Sequence, residues 1–191
     1  MGAVTTEDPD VWVNHPGPWT EEEFLALQES RWVELVDGSL LVNPSPGALH
    51  QDWTRRLANF LEAAAPETLN VHYEVNVRIV PGRIRIPDVV VTHELHRSMI
   101  FEGSRALLVA EVVSPGSGRR DRDEKAIDYA MAGIPWYLVV EPDDSGRPAF
   151  WLRRLEVERY VDHARASCGQ TMQFPDVGAE IDPAQLDRRH T

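Results

Sequence analysis

Pro87-Asp88-Val89-Val90-Val91, then Leu107-Leu108-Val109-Ala110-Glu111-Val112-Val113, then Asp121, Lys125 and Tyr129 at four-residue steps: this stretch decides how the chain is read. Alternate residues of a strand share a face, so Glu111 stands with Val109 and Val113. An ionised carboxylate in such an apolar run is costly to bury unless a partner, a metal ion or solvent meets it. Asp88, opening its own β-forming run, poses the same problem. If the two strands pair, the carboxylates converge and repel unless a cation lies between them. Mg²⁺ (or Mn²⁺) suits such a site, because Mg²⁺ takes one or two carboxylates, substrate phosphate oxygen and several waters.

Helical spacing puts Asp121, Lys125 and Tyr129 on one face. Their helix follows the Glu111 strand after a short loop, so Lys125 can point into the acidic site. An ammonium there can hold a phosphate or orient an attacking water. Lys125 is the only lysine; the other 18 basic residues are arginine. The two side chains are not interchangeable, since arginine carries a larger planar fork. Plainer readings stand beside this one. Asp121 and Lys125 can form a surface ion pair worth about 0.3–0.5 kcal/mol. Asp88 can be a turn residue after proline, and Glu111 can pair with an arginine.

The rest of the chain organises around these runs. Residues 1–18 read as a loose arm, 19–188 as one domain and 189–191 as a tail. Thr20 and Glu23 form a capping box for a short helix ending near Ser30. Trp32–Val36 and Ser39–Asn43 read as a hairpin around Asp37-Gly38. Leu49, Trp53, Leu57, Phe60, Leu61 and Ala64 recur at helical spacing, and Pro66 stops that helix. Val71–Val80 reads as one alternating strand and Arg83–Thr92 as the next. Their successor, Leu107–Val113, shares with Arg83–Thr92 the apolar character of central, doubly covered strands. His93–Arg105 is a polar link. Arg120–Met131 is a helix closed by Gly133. Trp136–Val140 and a hairpin over Ala149–Leu155 and Glu158–Asp162 follow, then a short helix at Asp182-Pro183. This order gives a mixed α/β domain with a central sheet flanked by helices.

Composition narrows the function classes. The chain has 191 residues, a formal net charge of −12 and one cysteine, Cys168. A single thiol excludes an internal disulfide framework. No basic, apolar leader opens the chain and no apolar run is long enough to span a bilayer, so a cytoplasmic protein is expected. The acidic balance argues against a general DNA-coating protein, because affinity for DNA rests on basic groups displacing counterions. Arginines do cluster locally, with Arg83 and Arg85 before Asp88, Arg119 and Arg120 before Lys125, and Arg153-Arg154. They are candidate nucleic-acid contacts or ordinary solvated surface. His93-Glu94-Leu95-His96 lacks the i,i+4 histidines of a zinc protease helix.

Pro87-Asp88, Glu111-Val112-Val113-Ser114-Pro115 and Lys125, with Val33–Gly38, His50 and Gly133-Ile134-Pro135, resemble the Uma family. That family is a restriction-endonuclease-like branch of the PD-(D/E)XK nucleases. The resemblance implies a Mg²⁺-dependent phosphodiester-cleaving fold with Asp88 and Glu111 as metal ligands and Lys125 as the catalytic lysine. Its default substrate is DNA, cut by a homodimer. Glu34 matches the family's early glutamate and His50 a position at a helix start, both as supporting residues with Asp121 and Tyr129. Val113 stands where the parent pattern places its lysine, and the resemblance moves that role to Lys125. Trp136-Tyr137-Leu138 also departs from the family pattern. Two rival functions remain: a nuclease-fold binding module that has lost cleavage, and a metal-dependent hydrolase of a small phosphoester.

Overall fold

The computed structural model describes residues 15–27, 32–93, 100–113 and 119–187, and only the backbone of 119–121. The expected arm before residue 15, the end of the first helix near Ser30, the 188–191 end and the side chains of Arg119, Arg120 and Asp121 lie outside the described residues. The elements in order are α1 (Glu21–Ala26), β1 (Val33–Val36), β2 (Ser39–Val42), α2 (Ala48–Ala64), β3 (Asn70–Tyr73), β4 (Val77–Val80), β5 (Arg83–Arg85) and β6 (Val89–Thr92). There follow β7 (Phe101–Glu102), β8 (Ala106–Val112), α3 (Arg119–Met131), β9 (Trp136–Pro142), β10 (Pro148–Glu156), β11 (Arg159–Ala166), β12 (Met172–Phe174) and β13 (Ala179–Ile181).

A six-stranded sheet runs β11-β10-β9-β8-β6-β3, and a five-stranded sheet runs β2-β1-β5-β4-β7. In the larger sheet β8 and β9 are parallel, joined through α3, and the other pairings are antiparallel. A parallel pair needs such a crossover. One face of that sheet packs on α2, where Trp53, Leu57 and Leu61 meet Val89, Val91, Leu108, Ala110, Val112 and Leu138. Full burial of each valine or leucine among these contributes about 1.5–3 kcal/mol. The other face packs on α3 and on β4, with Tyr129, Ala130, Val77 and Ile79 against Val90, Val109, Tyr137 and Val139. Both β6 and β8 are therefore covered on two sides, as their apolar runs predict.

Two expected strands each turn out to be two. The alternation of Val71–Val80 continues across Glu74, but Glu74 adopts a positive φ of 53°. That conformation ends β3 in the large sheet and lets β4 begin in the small one. Arg83–Thr92 breaks in the same way at Ile86-Pro87-Asp88. Pro87 has no N–H to continue a ladder. The two segments cross between sheets side by side, and the Glu74 N–H donates to the Asp88 carbonyl at 3.2 Å. Asp88 stands in that crossing.

Other differences are smaller. Leu49 is exposed rather than part of the α2 seam. The closing hairpin is longer than expected, β12 and β13 form an unanticipated two-stranded ribbon, and the last short helix is 3₁₀ with an Asp182–Gln185 capping box. The β1–β2 turn follows its Asp-Gly signal, with positive φ at both Asp37 and Gly38. A Cβ at Gly38 would lie 2.5 Å from Pro18 Cβ, so glycine is required there twice over.

Candidate active site

Register brings the acids together. Val89 pairs with Ala110 across β6 and β8, so Asp88 lies one step beyond, beside Glu111. The Val112 N–H, which would otherwise seek a ladder acceptor, donates to Asp88 Oδ2 at 2.6 Å. His50, in the first turn of α2, donates from Nε2 to the same oxygen at 3.1 Å. No described residue hydrogen-bonds to Asp88 Oδ1.

Glu111 faces α3, where Lys125 Nζ donates to its Oε2 at 3.0 Å. The Tyr129 hydroxyl donates to its Oε1 through a short hydrogen bond. Lys125 Nζ also lies 3.8 Å from Glu34 Oε1, so it sits between two carboxylates. Lys125 is 8% exposed and Glu34 1%, which rules out a solvated surface lysine. Asp88, Glu111, Lys125, Tyr129, His50 and Glu34 thus occupy one neighbourhood built from β1, α2, the β5–β6 crossing, β8 and α3.

Burial pushes the Glu111 carboxyl up to about 7, with the nearby Asp88 charge adding to the rise and Lys125 and Tyr129 opposing it. Burial works to lower the His50 imidazole, but the Asp88 hydrogen bond and the Asp88, Glu111 and Glu74 charges outweigh it and hold it above its usual value. The buried Tyr129 hydroxyl, beside Glu111, stays protonated far above its usual range. His50 Nδ1 is buried and has no hydrogen-bond partner among the described residues.

Arg85 is buried rather than on a nucleic-acid surface, and Arg83 is half-buried beside it. Arg85, 3% exposed, donates from Nη1 to Glu34 Oε2 at 2.8 Å and from Nε to Asp128 Oδ2 at 2.7 Å. Arg83 donates to Asp128 Oδ1 at 2.6 Å and to Asp37. Their planar forks tie β5 to α3 and β1, which leaves Arg85 nothing to offer a phosphate. Asp128 is the residue that sequence spacing misses. It lies three residues after Lys125, beside Tyr129, on the part of the helix that enters the core. Glu34 also accepts the Ile86 N–H at 2.9 Å, which fixes the backbone two residues before Asp88.

Among the described residues no three His, Cys, Asp or Glu side chains already surround one point. The donor set nevertheless fits a hard divalent ion: two adjoining carboxylates whose charges oppose each other, one with an oxygen that no described group bonds.

A mixed sheet with two acids and a lysine at its strand-to-helix end defines a restriction-endonuclease-like fold. Among solved structures, one described as a "putative nuclease belonging to DUF820" from Anabaena variabilis superposes with a TM-score of 0.71 at 15% identity, covering 88% of this chain and 97% of that one. Residues 21–180 match the model of Uma2, described as "Putative restriction endonuclease". The chain belongs to the Uma2 family. A search of curated proteins finds no match.

Proposed function

We propose that this chain is a nuclease that hydrolyses phosphodiester bonds in DNA with Mg²⁺ or Mn²⁺, using Asp88, Glu111 and Lys125. The observation that carries the proposal is the 3.0 Å contact from the sole lysine to the carboxylate next to Asp88. The family and the nuclease-like fold support the reaction class. Asp88 and Glu111 would hold the ion, which when bound polarises a phosphate and lowers the pKa of a water.

The chain's own residues do the rest. Lys125 places a positive charge beside the carboxylates, where it would offset charge developing on the phosphate. Tyr129 fixes the Glu111 rotamer, and His50 with the Val112 N–H fixes that of Asp88. Glu34 braces Lys125 from the other side. A homodimer is proposed for cutting both strands of a duplex.

The test is incubation of purified protein with supercoiled plasmid and single-stranded DNA at low salt with Mg²⁺ or Mn²⁺. Asp88→Ala, Glu111→Ala and Lys125→Arg run beside it. Cleavage by the wild type that all three variants lose is expected. Plasmid cleavage that survives Asp88→Ala would remove the site. Binding without cleavage would support the silent-module reading, and hydrolysis of small phosphoesters alone the other rival. Sedimentation velocity measures the oligomeric state.

A further inference from the structure

The row of paired residues that contains Glu111 continues across the sheet. Glu111 on β8 pairs with Val139 on β9, Val139 with Trp151 on β10, and Trp151 with Arg165 on β11. Paired residues face the same side, so Trp151 and Arg165 share the Glu111 face. At about 4.8 Å per strand, Trp151 stands about 10 Å and Arg165 about 14 Å from Glu111 along this row.

Two guanidiniums lie over the Trp151 ring, Arg153 at 4.5 Å from its centroid and Arg165 at 4.3 Å. Stacking holds both guanidiniums on the ring by cation–π attraction. Several other arginines of this acidic protein are neutralised closely: Arg83, Arg85 and Arg122 meet carboxylates at 2.6, 2.8 and 2.8 Å. Arg153 is different. Among the described residues its nearest acid, Asp162, is 3.8 Å away. Arg165 meets the same Asp162 at 3.1 Å and is 64% exposed. One aspartate thus serves two arginines. The β10–β11 hairpin as a whole carries Arg153, Arg154, Arg159 and Arg165 against Glu156, Glu158 and Asp162, a small positive excess on a chain of net charge −12.

We infer that the Arg153–Trp151–Arg165 stack is a second phosphate-binding point, which grips the backbone of a nucleic-acid strand whose scissile phosphate lies at Glu111 and Lys125. This rests on the nuclease reading and narrows its substrate to a polymer. Phosphates recur about every 3.4 Å of axis per strand along a duplex, so a site about 14 Å away along that axis meets a phosphate about four nucleotides on. A mononucleotide or small phosphoester does not span that separation.

Fluorescence anisotropy of the full chain with fluorescein-labelled duplex and single-stranded DNA, in EDTA so that nothing is cut, tests the inference. Arg153→Gln and Arg165→Gln are expected to weaken binding about tenfold each. The double variant should reduce the dependence of log K on log salt by about two contacts. Asp162→Asn, which removes the competing acid, should tighten binding several-fold, an effect that misfolding does not mimic. Variants that bind with unchanged affinity and salt dependence overturn the inference, as does a wild type that binds neither DNA. Wild type that binds through these arginines yet cleaves nothing keeps the surface and removes the nuclease reading instead.

Discussion

Two buried charge clusters meet at Glu34, and they are built on opposite principles. In Glu34–Arg85–Asp128 each charge is matched by planar, multiple hydrogen bonds, with Arg83 adding a further arm. In Asp88–Glu111–Lys125 two carboxylates adjoin, the one lysine lies between Glu111 and Glu34, Glu111 is pushed up to about 7, and His50 Nδ1 has no hydrogen-bond partner among the described residues. The first cluster is closed and holds elements together. The second is short of positive charge, which is the state expected of a site that awaits a cation and a phosphate. The difference teaches that burial alone does not mark function; unmet charge does.

The largest effect should separate the clusters by activity. Asp88→Ala is expected to cut plasmid cleavage by about a thousandfold or more, since it removes a carboxylate on which the proposed reaction depends. A loss under tenfold would place Asp88 in the closed cluster's class, as a ladder-ending residue only.

Arg85→Met should do the opposite. It leaves Glu34 and Asp128 buried without their partner and should cost about 3–5 kcal/mol of stability in urea unfolding. A cost under about 1 kcal/mol would show that the closed cluster is not a clamp.

Lys125→Arg keeps the charge but not the compact ammonium, and should lower turnover by about a hundredfold with thermal stability nearly unchanged. Equal turnover would remove the role of Lys125.

The smallest effect concerns pH. The folded Glu111 carboxyl is raised above its unfolded value of 4.5, to about 7. The fold therefore favours its protonated form. That contribution is fully present below pH 4.5 and is lost as pH rises through about 7. Without divalent ions, Glu111→Gln should gain on wild type across this window, by a melting shift of about 3 °C, the size of about 1 kcal/mol. Mn²⁺ should raise the wild-type melting temperature more at pH 8 than at pH 5.5, because protons compete for the carboxylates. Parallel melting curves at all pH values would contradict both.

The clusters also differed in how readable they were. Glu111 stands out because it interrupts an apolar strand, and Lys125 because no other lysine exists. Helical spacing then adds Tyr129. Nothing comparable flags Asp128, which resembles one more acid on a charged helix until β5 is packed against it. Arg85 misleads for the same reason: its spacing suits a basic surface, while its burial comes from a sheet that local pattern does not reveal. The broken strands show the limit of periodicity. Val71, Tyr73, Val75, Val77 and Ile79 keep their alternation across Glu74 although the chain leaves one sheet for another. Pro87 was a visible warning, and Glu74, with its positive φ, was not.

Lys125 between Glu111 and Glu34 also gives the molecule a spectroscopic property. Because the sequence holds a single lysine, protein grown with isotope-labelled lysine carries one labelled ε-amine, placed between the two carboxylates. Its side-chain resonance is a one-signal reporter of the site, free of overlap. Titrating it with Mg²⁺, with DNA and with acid would follow charge at the centre directly, in the wild-type chain and without any mutation.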